Sequence, residues 1–552
     1  MAVALDLADI QGNILTAYGK LGFPKGRFMV LHVDQGHAAE GRKFVTAMLP
    51  LITTAMRWPS TRSKAPVGVI AMERPAVAVN IALSWNGLLA LGIPTRTLRG
   101  MPDEFIDGMM ARAPMLGDNF NGRVPSKSWD AVWASTEGPR DASPDTVHIL
   151  ITLNAQMKPD GSAVAALDAK TQQIENLCAT VGGGHVRVLP GHNPSGQPAV
   201  QFQELTAILG SNPDGAKFPM PTEHFGYTDG IGDPVFDGQY PDRHELQVKD
   251  GNGALDGKGN WRPLATGEFL LGYPDEAQEI AGSAMPLDFS RNGTFMAYRK
   301  LHQNVTAFRD FMAATAARFG AVYGIGDPAE AQATLKAKVA GRWQDGVPLV
   351  RAPDYAAWQQ FNRDFPNVSP LQDRAAYQAR ERALIDFTYA DDKGGAKCPF
   401  TSHLRRTNTR DALAPTGTEG SVLNNRRRII RRGLPYGAAP DGVSDAEEHG
   451  IVMLVVCASL FRQFEFVQQQ WLNYGLDASA GNDTCPLVGN HSPGGDAGPK
   501  AKFVIPADPN AGHAPFVVEG IPQFVEARGG EYFFIPSMTA LRMIGMGVVD
   551  PT

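Results

Sequence analysis

Short apolar runs rich in β-branched residues recur along the chain and indicate its fold class. Residues 77–84 (VAVNIALS), 148–153 (HILITL) and 267–272 (GEFLLG) have the composition of strands. A helical pattern follows the first run, with Ser84 as a candidate N-cap, and a second helical pattern covers residues 163–178. Other strand-like runs are followed by turns. This mixture predicts an α+β fold in which helices pack on largely antiparallel sheets.

The length of the chain predicts more than one domain, because 552 residues exceed the size of one ordinary hydrophobic core. A glycine-rich polar stretch at 250–260 (DGNGALDGKGN) indicates the boundary. The predicted domains are therefore residues 1–255 and 256–552. Residues 351–386 are charged and aromatic without a clear core face, which favours a helical insertion in the second domain.

Charge and apolar content exclude several function classes. The formal net charge is −6, which argues against general nucleic-acid or anionic-membrane binding. The longest apolar run, residues 450–461, is too short to span a bilayer. No symmetric interface pattern indicates an oligomeric state.

Cysteine usage and the start of the chain favour a reducing, cytoplasmic location. The four cysteines are widely spaced, without a C-x-x-C pair, so neither a disulfide framework nor a zinc site is expected. Asp6 and Asp9 interrupt the apolar residues of the first segment, which therefore does not match a secretory signal.

One of the twelve histidines, His403, is set apart by its basic neighbours. It lies in residues 398–410 (CPFTSHLRRTNTR), and a second basic block follows at 426–437 (RRRIIRRGLPYG). A solvated basic face or a phosphate site would also produce such arginines. A third interpretation is haem, which needs one neutral imidazole on iron and cations near its two propionates.

A third segment, residues 223–234 (EHFGYTDGIGDP), places Asp229 between glycines. Taken alone, this segment reads as a turn, because Asp and Gly are common turn residues. The segment becomes more informative when it is considered together with the two basic blocks, at 398–410 and 426–437.

The three segments resemble motifs of the dye-decolourising peroxidases, and they come in the order found in that family. Gly226-x-x-Asp229-Gly230 is similar to the G-x-x-D-G motif, residues 403–410 to the proximal-histidine motif, and residues 431–437 to the segment with the distal arginine.

The resemblance covers nearly the whole chain and is to the longer branch of the family. Further similar segments are residues 9–15, 105–118, 341–343 and 462–466. Thr409 stands where the family commonly has proline.

The family resemblance implies two ferredoxin-like domains, with haem b (iron protoporphyrin IX) between them and held mainly by the C-terminal domain. The implied activity is a haem peroxidase that reduces hydrogen peroxide and oxidises dyes, phenols and similar aromatic donors through a ferryl haem. His403 would bind the iron, and its other ring N–H should meet a carboxylate. Arg405 would meet a propionate, and Gly230 and Phe295 would also contact the haem.

On the distal face, Asp229 would move the peroxide proton and Arg431 would stabilise the developing negative charge. Arg432 is the rival of Arg431, but the family's R-x-G pattern favours the first of the pair. Tyr436 resembles a tyrosine used for surface oxidation in some relatives, and would relay electrons from bulky dyes. A packing role for Tyr436 is the alternative.

Two other function classes are open to such a chain. A haem-binding or iron-releasing protein would need neither Asp229 nor Arg431 beside the haem. Another haem oxidoreductase on a related fold, such as an oxygenase or a chlorite dismutase, is also compatible with the histidine. The Asp–Arg pair favours peroxide chemistry over both.

Overall fold

One antiparallel sheet of nine strands organises the computed structural model within the residues that it describes. Those residues are 4–58, 73–119, 125–134, 145–211, 215–239, 251–369, 372–492, 501–508 and 511–547. The strands are β1 (Lys25–Val33), β2 (Val77–Leu83), β3 (Ile149–Ala155), β4 (Val186–Val188), β5 (Gln203–Thr206), β6 (Thr294–Gln303), β7 (Ile430–Tyr436), β8 (Gly450–Cys457) and β9 (Val525–Ile535).

Each half of the chain has the strand–helix–strand–strand–helix–strand order of a ferredoxin-like fold. In the first half, helices Ala38–Met48 and Ala165–Thr180 follow β1 and β3, and the strand order is β4-β1-β3-β2, with β5 also paired to β1. In the second half, helix Val305–Tyr323 follows β6, helices between 460 and 472 follow β8, and the order is β7-β8-β6-β9. This topology confirms the predicted α+β class with ferredoxin-like, antiparallel sheets.

The two halves meet where β9 pairs with β2, with Phe534 opposite Leu83. Strands β2 and β3 are buried at every position, which explains why their sequences are almost continuously apolar. Ser84 follows β2 and caps helix Trp85–Ala90, because its side chain accepts a hydrogen bond from the Gly87 N–H at 2.9 Å. The predicted cap at Ser84 is thus confirmed.

The remaining elements surround this sheet. Shorter strands are Leu209–Ser211, Lys217–Pro219, Ala254–Leu255, Trp261–Arg262, Lys502–Ile505 and Phe516–Glu519. The other α-helices are Gly12–Leu15, Thr95–Leu98, Asp103–Asp107, Met109–Leu116, Pro125–Ser128, Ala131–Ala134, Leu287–Ser290, Pro328–Ala340, Tyr355–Asp364, Arg374–Ile385, His403–Thr407, Val422–Asn425 and Met538–Met546. Short 3₁₀ helices cover Gly19–Leu21, Leu49–Leu51, Thr266–Glu268, Ala390–Asp392 and Leu476–Ala478, and π-helices cover Leu460–Glu465 and Val467–Leu472.

Two sequence predictions for the second half have different outcomes. The segment 267–272 is not a strand, because the N–H groups of Phe269 and Leu270 both donate to the Thr266 carbonyl and curl the chain into a turn. The segment 351–386 is helical, as predicted, with helices Tyr355–Asp364 and Arg374–Ile385. None of the helices among the described residues combines the length and the apolar content that crossing a bilayer requires.

Candidate active site

A large cavity lies against the second half of the sheet. Leu301 of β6, Met453 of β8 and Ala527 of β9 project into it from the sheet, and His403 and Arg431 also line it. The cavity and the open solvent at its mouth together span about 1850 Å³. A wide cavity with an apolar sheet face and a few polar groups is typical of a cofactor site.

His403 begins a helix of five residues that two buried arginines hold in place. Arg405 forms an ion pair with Asp392 at 2.7 Å and also donates to two backbone carbonyls. Arg406 donates to the backbone carbonyls of Asp483 and Trp471. Both arginines are almost fully buried, so they fix the helix that presents His403 to the cavity.

The imidazole of His403 is in the neutral form that binds metals. Burial, followed by the positive charges of Arg431 and Arg406, lowers its pKa to about 3. Its Nδ1 lies 3.2 Å from the Sγ of Cys485, so a thiol and not the expected carboxylate meets this ring nitrogen. The prediction of a carboxylate partner is therefore wrong for this structure.

Asp229 is carried by a loop that docks on the segment around Gln344. The N–H and the hydroxyl of Thr228 both donate to the Gln344 carbonyl, at 2.8 and 2.9 Å. Gly226 and Gly230 have φ angles of +89° and +76°, a region that side chains rarely adopt. A Cβ on Gly226 would also lie 2.7 Å from the Gln344 amide nitrogen. The two glycines therefore let the loop turn closely around the aspartate.

Asp229 and Arg431 form an ion pair at the border of the cavity, with 2.9 Å between Oδ1 and Nη2. Burial alone would raise the pKa of Asp229, but the charge of Arg431 and the Gly230 N–H outweigh it, and the pKa lies below its ordinary value. The charge of Asp229 in turn raises the pKa of Arg431. The aspartate is thus a carboxylate and the arginine a cation over a wide pH range.

Strand alternation separates Arg431 from its neighbour Arg432. Arg431 lies opposite Val455 in β8, on the sheet face that borders the cavity. Arg432 lies opposite Leu454 on the other face, and donates to Asp233 and to three backbone carbonyls. The structure therefore brings Arg431, and not Arg432, to the aspartate.

Three buried arginines cluster at one side of the cavity without a carboxylate partner. Among the described residues, the guanidinium groups of Arg342, Arg410 and Arg428 donate only to backbone carbonyls. Burial, followed by the charge of Arg410, lowers the pKa of both Arg342 and Arg428 to about 9. Arg342 and Arg428 line the cavity, and two nitrogens of Arg410 have no partner within the described part of the chain. Such a cluster is suited to an anion.

Three predicted cofactor contacts are not among the residues that line this cavity. Arg405 is committed to Asp392, as described above. Phe295 is on the same face of β6 as Leu301 but nearer the start of the strand, where it is fully buried and packs on Phe105, with ring centroids 5.2 Å apart. Gly230 borders a second cavity instead. The haem contacts of Arg405, Phe295 and Gly230 therefore stay predictions.

Tyr436 is not at the surface. It is only 3% exposed and, by strand alternation, shares the Arg432 face of β7. The Lys300 ammonium lies 4.7 Å from the centre of its ring. Tyr436 therefore packs inside the protein, and its role as an electron relay stays a prediction.

The second cavity meets the first at the ion pair. It lies between strands of the two halves, with Thr152 of β3 and Leu454 of β8 among its lining residues. Asp229 and Arg431 border both cavities. The ion pair therefore lies between two adjacent cavities.

Comparisons with known proteins agree with this arrangement. A family profile described as "DyP dimeric alpha+beta barrel domain" matches residues 9–180. The chain is 28% identical to "Peroxidase 2" of Mycetinis scorodonius, over 98% of this chain and 88% of that protein. The solved structure of an ancestral D-type dye decolorizing peroxidase has 26% identity and a TM-score of 0.69, and the match covers 98% of this chain and 99% of that one. Proteins and solved structures named dye-decolourising peroxidases are thus similar to nearly the whole chain, and residues 9–180 match the N-terminal domain of that family.

A bacterial relative is also similar over almost its full length. "Multifunctional dye peroxidase DyP2" of an Amycolatopsis species is 26% identical, over 98% of this chain and 96% of that protein. The sequence alone did not predict Cys485, Arg342 and Arg428 as site residues. Arg342 and Arg428 lay within segments that had been singled out, whereas no local pattern marked Cys485.

Proposed function

We propose that this protein is a haem-dependent peroxidase that reduces hydrogen peroxide and oxidises phenols, dyes and similar aromatic donors. One observation carries the proposal: a neutral histidine and an Asp–Arg ion pair line the same cavity. Family membership agrees with it, because the relatives are named peroxidases.

The residues around the cavity fit a haem. His403 offers a neutral imidazole, and Leu301, Met453 and Ala527 offer an apolar face to a macrocycle. The buried arginine cluster (Arg342, Arg410, Arg428) lacks anions, and two propionates would supply them. When bound, the haem would supply a redox-active iron. We propose haem b, because the sequence has no C-x-x-C-H motif for covalent attachment.

Asp229 would act as the general base and acid toward peroxide. Peroxide reduction requires that a proton leave one oxygen and arrive at the other, and a positioned carboxylate can accept and return it. The pKa of Asp229 is held below its ordinary value, so the base form is present at neutral pH and in mild acid. Activity should fall only when the pH drops through that pKa.

Arg431 would stabilise the negative charge that develops on the peroxide oxygens. Its guanidinium is already oriented by the ion pair with Asp229, so little reorganisation is needed when the charge appears. A fixed cation beside a carboxylate base also keeps that base ionised. The two residues thus work as one unit.

The second cavity is the proposed route for peroxide and for small aromatic donors. It opens between the two halves and ends at Asp229 and Arg431. Tyr436 is buried, so it would relay electrons within the protein rather than collect them from bulky dyes at the surface.

We also propose that residues 1–255 and 256–552 are the two domains, and that the second holds the haem. The strands of the two ferredoxin-like halves, 25–206 and 294–535, fall on either side of this boundary, and His403 belongs to the second. A reducing, cytoplasmic location is supported by the four cysteines, each of which is free.

Stopped-flow absorbance with peroxide tests the function. The haem-loaded protein should show a fast peroxide-dependent change in its Soret band, and Asp229→Asn should slow that change by roughly 10²–10⁴-fold. His403→Ala should lose the spectrum of a histidine-ligated haem. If the loaded wild-type protein gives no response to peroxide, the protein is a haem carrier or a different haem enzyme.

A further inference from the structure

The sulfur of Cys485 is the atom that meets the Nδ1 of His403. The two atoms are 3.2 Å apart, and the cysteine is fully buried. If the other ring nitrogen, Nε2, binds iron, Nδ1 must carry the proton, and the sulfur must accept it. The contact is then an N–H···S hydrogen bond.

The sulfur is held in place by the surrounding backbone. The Cys485 N–H donates to the Leu472 carbonyl at 2.6 Å, and the Cys485 carbonyl accepts from Gly489 at 3.0 Å and faces His491 Nε2 at 2.8 Å. Burial raises the pKa of the Cys485 thiol, whereas the charge of Arg406 and the backbone N–H groups of Val488 and Leu487 act in the opposite direction. The backbone of the residue therefore has a fixed position, and the groups that favour negative charge at its side chain are a cation and backbone N–H groups.

The donors around Cys485 would suit a stronger acceptor than a thiol. Backbone N–H groups, the ring N–H of His403 and the nearby charge of Arg406 together favour an oxygen anion. A thiol sulfur is only a weak acceptor. The chain thus places a thiol, which is a weak hydrogen-bond acceptor, at a position where a carboxylate would find hydrogen-bond donors.

We propose that Cys485 is a positioning residue that fixes the tautomer of His403 while limiting its electron donation to the haem iron, an inference that rests on the proposed function. A histidine whose N–H meets a carboxylate becomes more basic and donates more strongly to its metal. A weak acceptor leaves the imidazole less basic. The Fe–N bond is then weaker and the Fe(III)/Fe(II) midpoint potential higher than with a carboxylate partner.

Resonance Raman spectroscopy and redox titration of the haem-loaded protein test this assignment. The variants are Cys485→Asp, with Cys485→Ser as a milder change that keeps the side-chain size. Cys178→Ala is the matched control, because it removes a buried thiol from helix Ala165–Thr180 in the other half of the chain. The readouts are the Fe–N(His) stretching frequency of the ferrous protein and the midpoint potential.

Cys485→Asp should raise the Fe–N stretching frequency and lower the midpoint potential, and Cys485→Ser should shift both in the same direction by less. Cys178→Ala should leave both unchanged. If Cys485→Asp and Cys485→Ser load haem and leave both readouts at wild-type values, Cys485 does not tune the histidine. A His403→Ala variant separates the two proposals: if it keeps the Fe–N band, His403 is not the ligand and the proposed function fails as well.

Discussion

Replacing Arg431 by leucine should change both the rate and the pH dependence of the reaction with peroxide. The guanidinium lies 2.9 Å from the Asp229 carboxylate, and it is the main influence that lowers the pKa of that group. Without it, burial raises the pKa of Asp229. Since Asp229 acts as a base only when ionised, the loss of activity on acidification should begin at a higher pH.

The size of the shift follows from the geometry of the pair. The side chains of Arg431 and Asp229 are 39% and 35% exposed, so solvent from the cavities screens them. At 2.9 Å in a water-like dielectric, two unit charges interact by about 1.4 kcal/mol, which corresponds to about one pKa unit. Loss of a preorganised donor should also lower the rate by roughly 10²–10³-fold at any pH.

The assay is the second-order rate constant for peroxide, measured by stopped-flow between acidic and neutral pH. Arg432→Leu is the matched control, because the neighbouring side chain lies on the opposite sheet face and binds Asp233 instead. Arg432→Leu should not change the pH at which the rate constant falls on acidification. An Arg431→Leu profile that is lower but unshifted would show that Asp229 is not the base whose ionisation controls the rate.

Three further predictions concern stability and haem affinity. Arg299 and Asp118 form a buried ion pair with two contacts of 2.6 Å. Arg299→Ala should therefore lower the free energy of unfolding of the haem-free protein by about 3–5 kcal/mol, measured by urea titration. A variant as stable as the wild type would contradict this prediction. Arg428→Leu should weaken haem binding by roughly 10- to 100-fold in titrations of the haem-free protein, the value of one charge-assisted hydrogen bond. Arg405→Leu should lower the free energy of unfolding, because it leaves Asp392 unpaired, and it should not change haem affinity. If Arg405→Leu weakens haem binding and Arg428→Leu does not, Arg405 is the propionate partner.

Local patterns predicted much of the fold. The apolar runs at 77–84 and 148–153 became β2 and β3, and Ser84 caps the next helix, because both features depend on neighbours within a few residues. The segment 267–272 has the composition of a strand, but hydrogen bonds to Thr266 closed it into a turn. Composition cannot show which backbone groups will be paired with a neighbouring strand.

The site residues could be predicted where a sequence motif and the strand geometry select the same residue. Asp229 and Arg431 meet at 2.9 Å although 202 positions separate them, and strand alternation explains the choice of Arg431 over its neighbour. Arg405 is close to His403 in sequence, but a buried aspartate from another segment binds it. Cys485 comes from far along the chain and had no distinguishing neighbours, so only the fold could reveal its contact with His403.

The ion pair joins two distant parts of the chain, since Asp229 comes from a loop between the strands of the two ferredoxin-like halves and Arg431 comes from β7. A chain in which that loop has not yet docked would already present His403, but it would lack the proton acceptor. Such an intermediate could hold haem without being able to turn peroxide into a strong oxidant. Oxidising power would then arise only in the completed protein, which spares the unfinished chain from damage by its own chemistry.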